Sequence, residues 1–309
     1  MAKPNMHKEK RKRTSLNEDQ EILQNVKRRK IRIIVISVLL SAILCFLCVG
    51  QIGAWVRSNT LYFWQPNYAK EDISKLLYKQ ELTDEDYALL YRQTGVTKLG
   101  IDDMRDSSEG RKRILEIQNC LFDTRKVKGE CFGLFTYTED LVAKDETQLS
   151  RLARLRTGDV LVSTSMYVSW WRFGHSALVL DGDTGRIIEA VQAGWVSEIG
   201  SATTFNTRAN FIVLRPKVDI EIKQQVVDYA AKNLVGLRYD ATTGVLSKKY
   251  VENPKKSHCG HIVWRAYKQF GIDIDSNGGG IVTPEDIFYS EYMEVVQVFG
   301  LDLDLSKLW

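Results

Sequence analysis

The sequence has few of the residues from which metal and phosphate sites are made. Its 309 residues include four histidines and five cysteines. It contains no His-Glu-x-x-His motif and no two closely spaced pairs of cysteines, the patterns that usually hold zinc. It also lacks a glycine-rich phosphate loop, because the three glycines at 278–280 lie in a polar loop before Thr283, where another helix is predicted to begin. We therefore expect no metal and no cofactor.

Positive charge is scarce beyond the first residues. Residues 1–32 hold 11 basic and 4 acidic side chains, a surplus of +7, whereas the whole chain has a net charge of +4. The residues after 32 therefore sum to 4 − 7 = −3. A chain with this distribution has no broad basic face, so we expect no nucleic-acid partner.

One long segment has no charged side chain at all. It runs for 24 residues from Ile33 to Val56, between Arg32 and Arg57. About 20 apolar residues suffice to cross a bilayer as a helix, so we predict a transmembrane helix over 33–56 after a basic cytoplasmic tail over 1–32. The basic run at 27–32 places the N-terminus in the cytoplasm and the rest of the chain outside the cell membrane. A cleaved signal peptide is the alternative, but no small-x-small cleavage site follows the apolar run.

Residues 57–150 are rich in charged side chains with helical spacing. Thr83 precedes three acidic residues and then apolar positions, which predicts the start of a helix over about 82–91. A second helix is predicted near 111–121. We find no catalytic cluster here and predict a helical stalk or cap beside the main domain. Cys120 and Cys131 either close a short disulfide loop or stay reduced.

Residues 151–309 are about the size of one ordinary domain and are predicted to contain short strands. A turn at 181–185 joins two of them into a hairpin, with His175 at the start of one strand and Glu189 on the returning strand. A helix is predicted to begin after Asp219 and to end near Gly236. The predicted strands cover 159–162, 175–180, 186–191 and 211–216.

The next predicted helix carries a cysteine in its first turn. Apolar residues recur at helical spacing from Cys259 onwards, between Ser257 as the candidate N-cap and Gly271. At this position the unpaired N–H groups and the helix dipole favour a thiolate over a thiol. A histidine can then accept the proton, and a carboxylate can orient that histidine; His175 and Glu189 can supply these groups.

The spacing by itself leaves a plainer interpretation open. A first-turn cysteine is more often a small core residue, and a strand histidine is more often structural. His258 and His261 are the other candidate bases, but neighbours along a helix point in different directions. We therefore predict that these two histidines lie at the surface or only support the site.

Ordered motifs add to the spacing argument. Three segments resemble strands of NlpC-type papain-like cysteine hydrolases. The segment RTGDVLV at 156–162 resembles their Gly-Asp strand, and FGHSALVL at 173–180 resembles their histidine strand. The segment IIEA at 187–190 resembles the strand that carries the third catalytic residue. In the usual order the cysteine helix comes first, whereas here GLRYD and SHCGHIV, at 236–240 and 257–263, come last. That order resembles the circularly permuted YiiX/YebB-like branch, which is related to lecithin retinol acyltransferase. The resemblance covers most of 151–309 and none of the residues before it.

This resemblance implies a fold and a set of roles. The fold is α+β, a permuted papain-like antiparallel sheet packed on helices. Cys259 would be the nucleophile, His175 the general base and Glu189 the residue that orients it. Tyr239 matches a position that often holds a tyrosine near the thiol, where its hydroxyl would help to bind the oxyanion. The alternative for Tyr239 is an aromatic lid that packs on the helix.

Several other residues have two interpretations each. Asp159 is predicted to fix a turn. The aromatic residues before the histidine strand either line a substrate groove or form a plain hydrophobic patch; they are Tyr167, Trp170 and Trp171. Four lysines around the cysteine helix either attract an anionic substrate or are solvated; they are Lys248, Lys249, Lys255 and Lys256.

These features together predict a membrane-anchored, extracytoplasmic cysteine hydrolase. It would cleave peptide or amide bonds through a thioester acyl-enzyme, with cell-wall peptides as the most available substrate. Because some relatives in the resembled group act on lipid esters, a lipid acyl hydrolase or acyltransferase is the alternative enzyme. A catalytically silent module that binds the cell wall or a partner is a third hypothesis from a different class.

Overall fold

The structure is a computed structural model, and it describes residues 5–58, 61–132, 136–142, 149–168 and 171–307. The chain divides after Gly53 into two compact units.

The first unit is formed by the long helix α1 (Asn5–Ser58) as far as Gly53. Within it, the stretch Gln24–Gly53 contains an 18-residue window that has a mean hydropathy of 3.0 and is almost entirely exposed. One N-terminal helix is therefore long and apolar enough to span a membrane, as the sequence predicted for 33–56. The helix begins well before Ile33 because it continues through the preceding basic residues.

The second unit combines strands and helices. Its helices are α2 (Asp84–Thr94), α3 (Lys98–Met104), α4 (Ser108–Phe122), α5 (Ile220–Asn233), α6 (Cys259–Lys268) and α7 (Pro284–Phe288). Its strands are β1 (Leu61–Trp64), β2 (Arg125–Phe132), β3 (Thr136–Leu141), β4 (Val160–Ser163), β5 (Met166–Val168), β6 (Trp171–Arg172), β7 (His175–Asp181), β8 (Arg186–Glu189), β9 (Glu198–Ser201), β10 (Phe211–Pro216), β11 (Arg238–Tyr239), β12 (Lys256–Ser257) and β13 (Met293–Phe299).

A six-stranded antiparallel sheet forms the centre of this unit. Its strands lie in the order β13-β10-β4-β7-β8-β9. A second antiparallel sheet has the order β1-β2-β3-β5-β6, and β11 pairs in parallel with β12. The protein is therefore an α+β protein with antiparallel sheets.

Both faces of the six-stranded sheet are buried under helices. On one face, Val160 and Leu178 share a core with side chains of α5 and α6, such as Val226 and Ile262. On the other face, alternate residues such as Ala177 contribute to a core that includes side chains of α2, α3 and α4. Because successive strand residues point to opposite faces, each of these strands is apolar along most of its length.

Most elements predicted after residue 150 are confirmed. The four predicted strands are β4, β7, β8 and β10, although β8 ends earlier than predicted, at Glu189. Asp219 is the N-cap residue of α5, as predicted. Before residue 150, Thr83 caps α2 in a capping box with Asp86, and the second predicted helix is α4.

The region 57–150 is packed as a cap on the main unit, the second of the two arrangements predicted, and does not form a separate stalk. Residues 54–309 form one compact unit, in which α2, α3 and α4 cover one face of the sheet. The region also contains β1, β2 and β3. The charged residues of β2 and β3 concealed their strand pattern in the sequence. No compact boundary falls at residue 150, so these residues form a layer of the main unit.

A buried ion network joins this helical layer to the sheet. Arg215 on β10 donates to both carboxylate oxygens of Asp159, at 3.0 and 2.8 Å, and to Asp103 on α3, at 3.0 Å. Asp159 also accepts the backbone N–H of Arg156 at 2.8 Å, so it fixes the turn as predicted. One arginine therefore neutralises two buried carboxylates from different layers.

We predict that Arg215→Leu lowers the free energy of unfolding by about 3–5 kcal/mol, because it leaves buried carboxylates unpaired. The matched control is Arg156→Gln, since Arg156 contacts the same Asp103 but its side chain is 55% exposed; we expect a loss below about 1 kcal/mol. Both losses are measured by urea unfolding of the full chain in detergent, monitored by tryptophan fluorescence. If both variants lose the same small amount of unfolding free energy, the network does not hold the helical layer and the sheet together.

Candidate active site

The strand pairing of β7 and β8 brings His175 and Glu189 together. Ala177 lies opposite Glu189, so His175, two residues earlier on the same face, is its diagonal neighbour. His175 Nε2 lies 2.6 Å from Glu189 Oε2. Both residues are buried. The pair is therefore set by the register of one hairpin.

Neighbouring residues hold this pair in place. The ring of Phe205 stacks on His175 with 5.8 Å between ring centroids. On the adjacent strand β9, a Cβ at Gly200 would lie 3.0 Å from Glu189 Oε1, so the glycine leaves room for the carboxylate. Burial raises the pKa of Glu189, but its hydrogen bond to His175 together with the charges of His175 and Arg208 outweighs this effect, and the net pKa is lowered. Glu189 is thus ionised at neutral pH and stabilises a positive charge on the ring.

The start of α6 positions Cys259. Cys259 is the first residue of the helix, and its N-cap is His258, not Ser257 as predicted. The backbone N–H groups of Cys259 and Gly260 have no partner within the helix at this position. A Cβ on Gly260 would collide with the carbonyl oxygen of Val282, so only glycine fits beside the cysteine. The helix start is therefore closely packed, and the thiol is buried.

The thiol of Cys259 lies beside the ring of His175. Nε2 of His175 is occupied by Glu189, which leaves Nδ1 for the thiol; among the described residues, Nδ1 makes no hydrogen bond of good geometry. The two side chains nevertheless interact closely enough to shift each other's pKa. Long or poorly aligned bonds between nucleophile and base are common in enzymes without substrate.

The pKa shifts describe an ion pair. Burial raises the pKa of Cys259, but interactions with His175 and then His258 outweigh burial and lower it from 9.0 to about 6. Burial lowers the pKa of His175, but interactions with Cys259 and Glu189 outweigh burial and raise it from 6.5 to about 9. Between about pH 6 and 9 the thiolate and the imidazolium therefore coexist.

His258 lies closer to the thiol than the sequence interpretation predicted. We predicted that it diverges from the thiol, yet it is fully buried and helps to lower the pKa of Cys259. The reason is that His258 is the N-cap residue and has non-helical backbone angles, so the divergence rule for helix neighbours does not apply to it. Its position directly before the cysteine was the available signal.

His261, in contrast, has a structural role. Its Nδ1 lies 2.9 Å from the Ser257 hydroxyl, and its Nε2 lies 2.8 Å from the carbonyl oxygen of Lys249. Burial lowers its pKa to about 4, so the ring is neutral. It connects the helix start to the preceding segment.

Tyr239 is held next to the cysteine helix by the β11–β12 pairing. It lies opposite Ser257, two residues before Cys259. Burial and the nearby Cys259 both raise the pKa of its phenol, so the hydroxyl keeps its proton. A protonated hydroxyl at this place can donate to an oxyanion. Tyr239 also borders a shallow surface cleft, whose other lining residues include Trp195, Arg238 and Lys256.

Several predicted surface residues have other environments. Tyr167 is buried and stacks on Tyr137 at 4.5 Å, so it packs in the second sheet and does not line a groove. Trp171 is exposed, and Trp170 lies outside the described residues. Of the four lysines, Lys249 pairs with Asp275 and Lys256 with Asp240.

The remaining cysteines are not arranged for chemistry. Cys120 and Cys131, both within the described residues, form no disulfide with each other. Cys120 is buried and its thiol donates to the Leu149 carbonyl at 3.4 Å, whereas Cys131 is exposed on β2. In the described ranges no cluster of histidine, cysteine and acidic residues is placed to hold a metal ion.

Known proteins give limited information about this chain. No protein-family model matches it, and no solved structure matches it at a significant level. The uncharacterized protein YycO of Bacillus subtilis (strain 168) is 31% identical over 142 residues, which cover 43% of this chain and 52% of YycO. The chain therefore spans about half the length of this curated relative, and the similarity assigns no family or activity.

We predict that iodoacetamide labels Cys259 at pH 7 and that His175→Ala slows this labelling about tenfold or more. Without the imidazolium, burial returns the thiol pKa towards or above its ordinary value, and the thiolate fraction falls. Mass spectrometry of the labelled peptides gives the rate, and the exposed Cys131 of the same molecule is the internal control. Equal rates at Cys259 in both proteins would contradict the ion pair.

Proposed function

We propose that this protein is a membrane-anchored cysteine hydrolase that cleaves peptide or amide bonds, with cell-wall peptides as substrate. The observation that carries the proposal is the contact between Cys259, the first residue of α6, and His175, which Glu189 holds at 2.6 Å. This arrangement contains a nucleophile, a base and an orienting carboxylate, the set that covalent acyl transfer needs.

The proposed reaction proceeds through a thioester. The Cys259 thiolate attacks the carbonyl carbon, and the carbonyl electrons move to oxygen. As the tetrahedral intermediate collapses, the C–N bond breaks and the His175 imidazolium gives its proton to the leaving amine. Neutral His175 then takes a proton from water as the water attacks the thioester. A carboxylic acid leaves, and the thiolate and imidazolium are restored.

Two groups are placed to stabilise the oxyanion in this proposal. The backbone N–H of Cys259 is unpaired within the helix, and the Tyr239 hydroxyl keeps its proton next to the same residue. Both donors lie at the start of α6, where the helix dipole also favours negative charge. The oxyanion would therefore form at the positive end of the helix.

We also propose the fold relationship on which the sequence resemblance rests. The order of the site elements supports a circularly permuted papain-like fold of the YiiX/YebB-like branch: the histidine strand β7 and the carboxylate strand β8 come first, and the cysteine helix α6 comes last. In the proposed topology, α1 spans the membrane over 33–56, with the basic residues 1–32 in the cytoplasm and residues 57–309 outside. Cell-wall peptides would then be within reach.

A lipid ester is the second candidate substrate, and one surface feature favours it. The segment between β11 and β12 exposes Val245 and Leu246, which are 60% and 80% exposed, and the nearby Lys248. Apolar side chains beside a lysine suit contact with an anionic lipid surface. Both ends of this segment, Tyr239 and Ser257, adjoin the cysteine helix. A lipid acyl hydrolase or acyltransferase would use the same thiolate.

Paired assays test the proposal. The full chain in detergent is incubated with purified peptidoglycan and, separately, with phospholipid vesicles, and products are identified by mass spectrometry. We expect new amine and carboxyl ends in the peptidoglycan from the wild type and from the control Cys131→Ala, and none from Cys259→Ala. Release of fatty acid alone would favour the second candidate. Identical products from wild type and Cys259→Ala would contradict both and favour a silent binding module.

We expect kcat/KM for the substrate found to have a bell-shaped pH profile with limbs near 6 and 9. Below about pH 6 the thiolate is protonated, and above about pH 9 His175 has lost the proton that the leaving group needs. Glu189→Gln removes a negative charge that raises the pKa of His175, so the upper limb should move to lower pH. An upper limb that stays in place would exclude Glu189 as the partner of the ring.

A further inference from the structure

His258 occupies a position that hydrolysis by Cys259, His175 and Glu189 does not explain. It is fully buried directly before the nucleophile, and its ring contacts the Phe173 ring edge-on, with 6.3 Å between centroids. Its Nδ1 accepts the backbone N–H of His261 at 3.4 Å and so caps α6. Asparagine or serine caps a helix as well as histidine does, so capping alone does not require an imidazole here.

The cap fixes which ring nitrogen carries the proton. Because Nδ1 accepts a hydrogen bond, the neutral ring has its proton on Nε2. Nε2 is buried, and it has no hydrogen-bond partner in the part of the chain that the structure describes. A buried donor without an acceptor is unfavourable, and the adjacent Cys259 sulfur is the group with which the His258 side chain interacts.

The surroundings leave the sulfur as the acceptor. The titratable groups near His258 and Cys259 are His261 on the same helix, His175 on β7 and Tyr239 on β11. Both ring nitrogens of His261 are already engaged, by Ser257 and by the Lys249 carbonyl. A thiolate accepts hydrogen bonds from more than one donor, and a buried thiolate needs them because burial opposes its charge.

We propose that His258 is a positioning residue: its Nε2–H donates a hydrogen bond to the Cys259 sulfur and, together with His175, holds the sulfur as a thiolate at the start of α6. This inference rests on the proposed role of Cys259 as the nucleophile. It assigns the two imidazoles different tasks, because His175 exchanges a proton with substrate and water whereas His258 only donates a hydrogen bond to the sulfur.

Two substitutions separate donation to sulfur from capping. In His258→Asn the shorter side chain retains an oxygen that can cap the helix but has no donor that reaches the sulfur. In His258→Ala both functions are lost. The pH dependence of iodoacetamide labelling at Cys259 is measured for the full-length wild type and both variants, each scaled to its own maximum rate. Scaling removes the effect of burial, which slows labelling at every pH alike. Thermal unfolding of each variant shows that it is folded.

In the wild type we expect the labelling rate to rise with a midpoint near pH 6. In both variants we expect this midpoint about one pH unit higher, so that labelling at pH 5.5 is about tenfold slower than in the wild type. If the midpoint of labelling in His258→Asn equals that of the wild type and only His258→Ala is shifted, the inference is overturned and His258 is a helix cap. A wild-type midpoint at the ordinary thiol value of about 8.5, or no labelling of Cys259, would instead overturn the proposed function.

Discussion

The site depends on one contact, between the sulfur at the start of α6 and the imidazole at the start of β7. Burial opposes charge on each group separately, because it raises the pKa of a cysteine and lowers that of a histidine. Only when the two charges are adjacent can both be ionised in a closed site. The rest of the fold can be understood as the means by which two residues far apart in sequence are held at this distance.

Two layers of packing fix that distance. Helix α6 lies on the sheet through a continuous apolar face, which includes Ile262 and Val263. On the opposite face, α2, α3 and α4 cover the same strands. Arg215 connects these helices to the sheet through its ion pairs with Asp103 on α3 and with Asp159. A sheet that is buried on both sides and tied in this way has little freedom to shift β7 relative to α6. The residues that the sequence suggested as a stalk or cap therefore help to hold the site.

Local patterns predicted much of the fold, and the failures arose where charged residues or a cap conformation concealed the local structure. The hairpin of β7 and β8 could be read from alternating apolar residues and a glycine-rich turn, so the placement of His175 near Glu189 followed from register. The strands β2 and β3 pair with each other as neighbours in the sequence, and they were missed because their many charged residues concealed the strand pattern. His258 was misjudged because its direction depends on the backbone angles of a cap residue, which apolar spacing does not reveal.

The central claim is that His175 ionises Cys259, and the thiolate absorbance of the full chain tests it most directly. The absorbance of the wild type minus that of Cys259→Ser gives the signal of this one sulfur, because the other four cysteines are present in both proteins. As the pH rises, the account predicts that the difference signal appears near pH 6 in the wild type and only above the ordinary thiol value of about 8.5 in His175→Ala. A wild-type signal that appears only above that ordinary value would contradict the account.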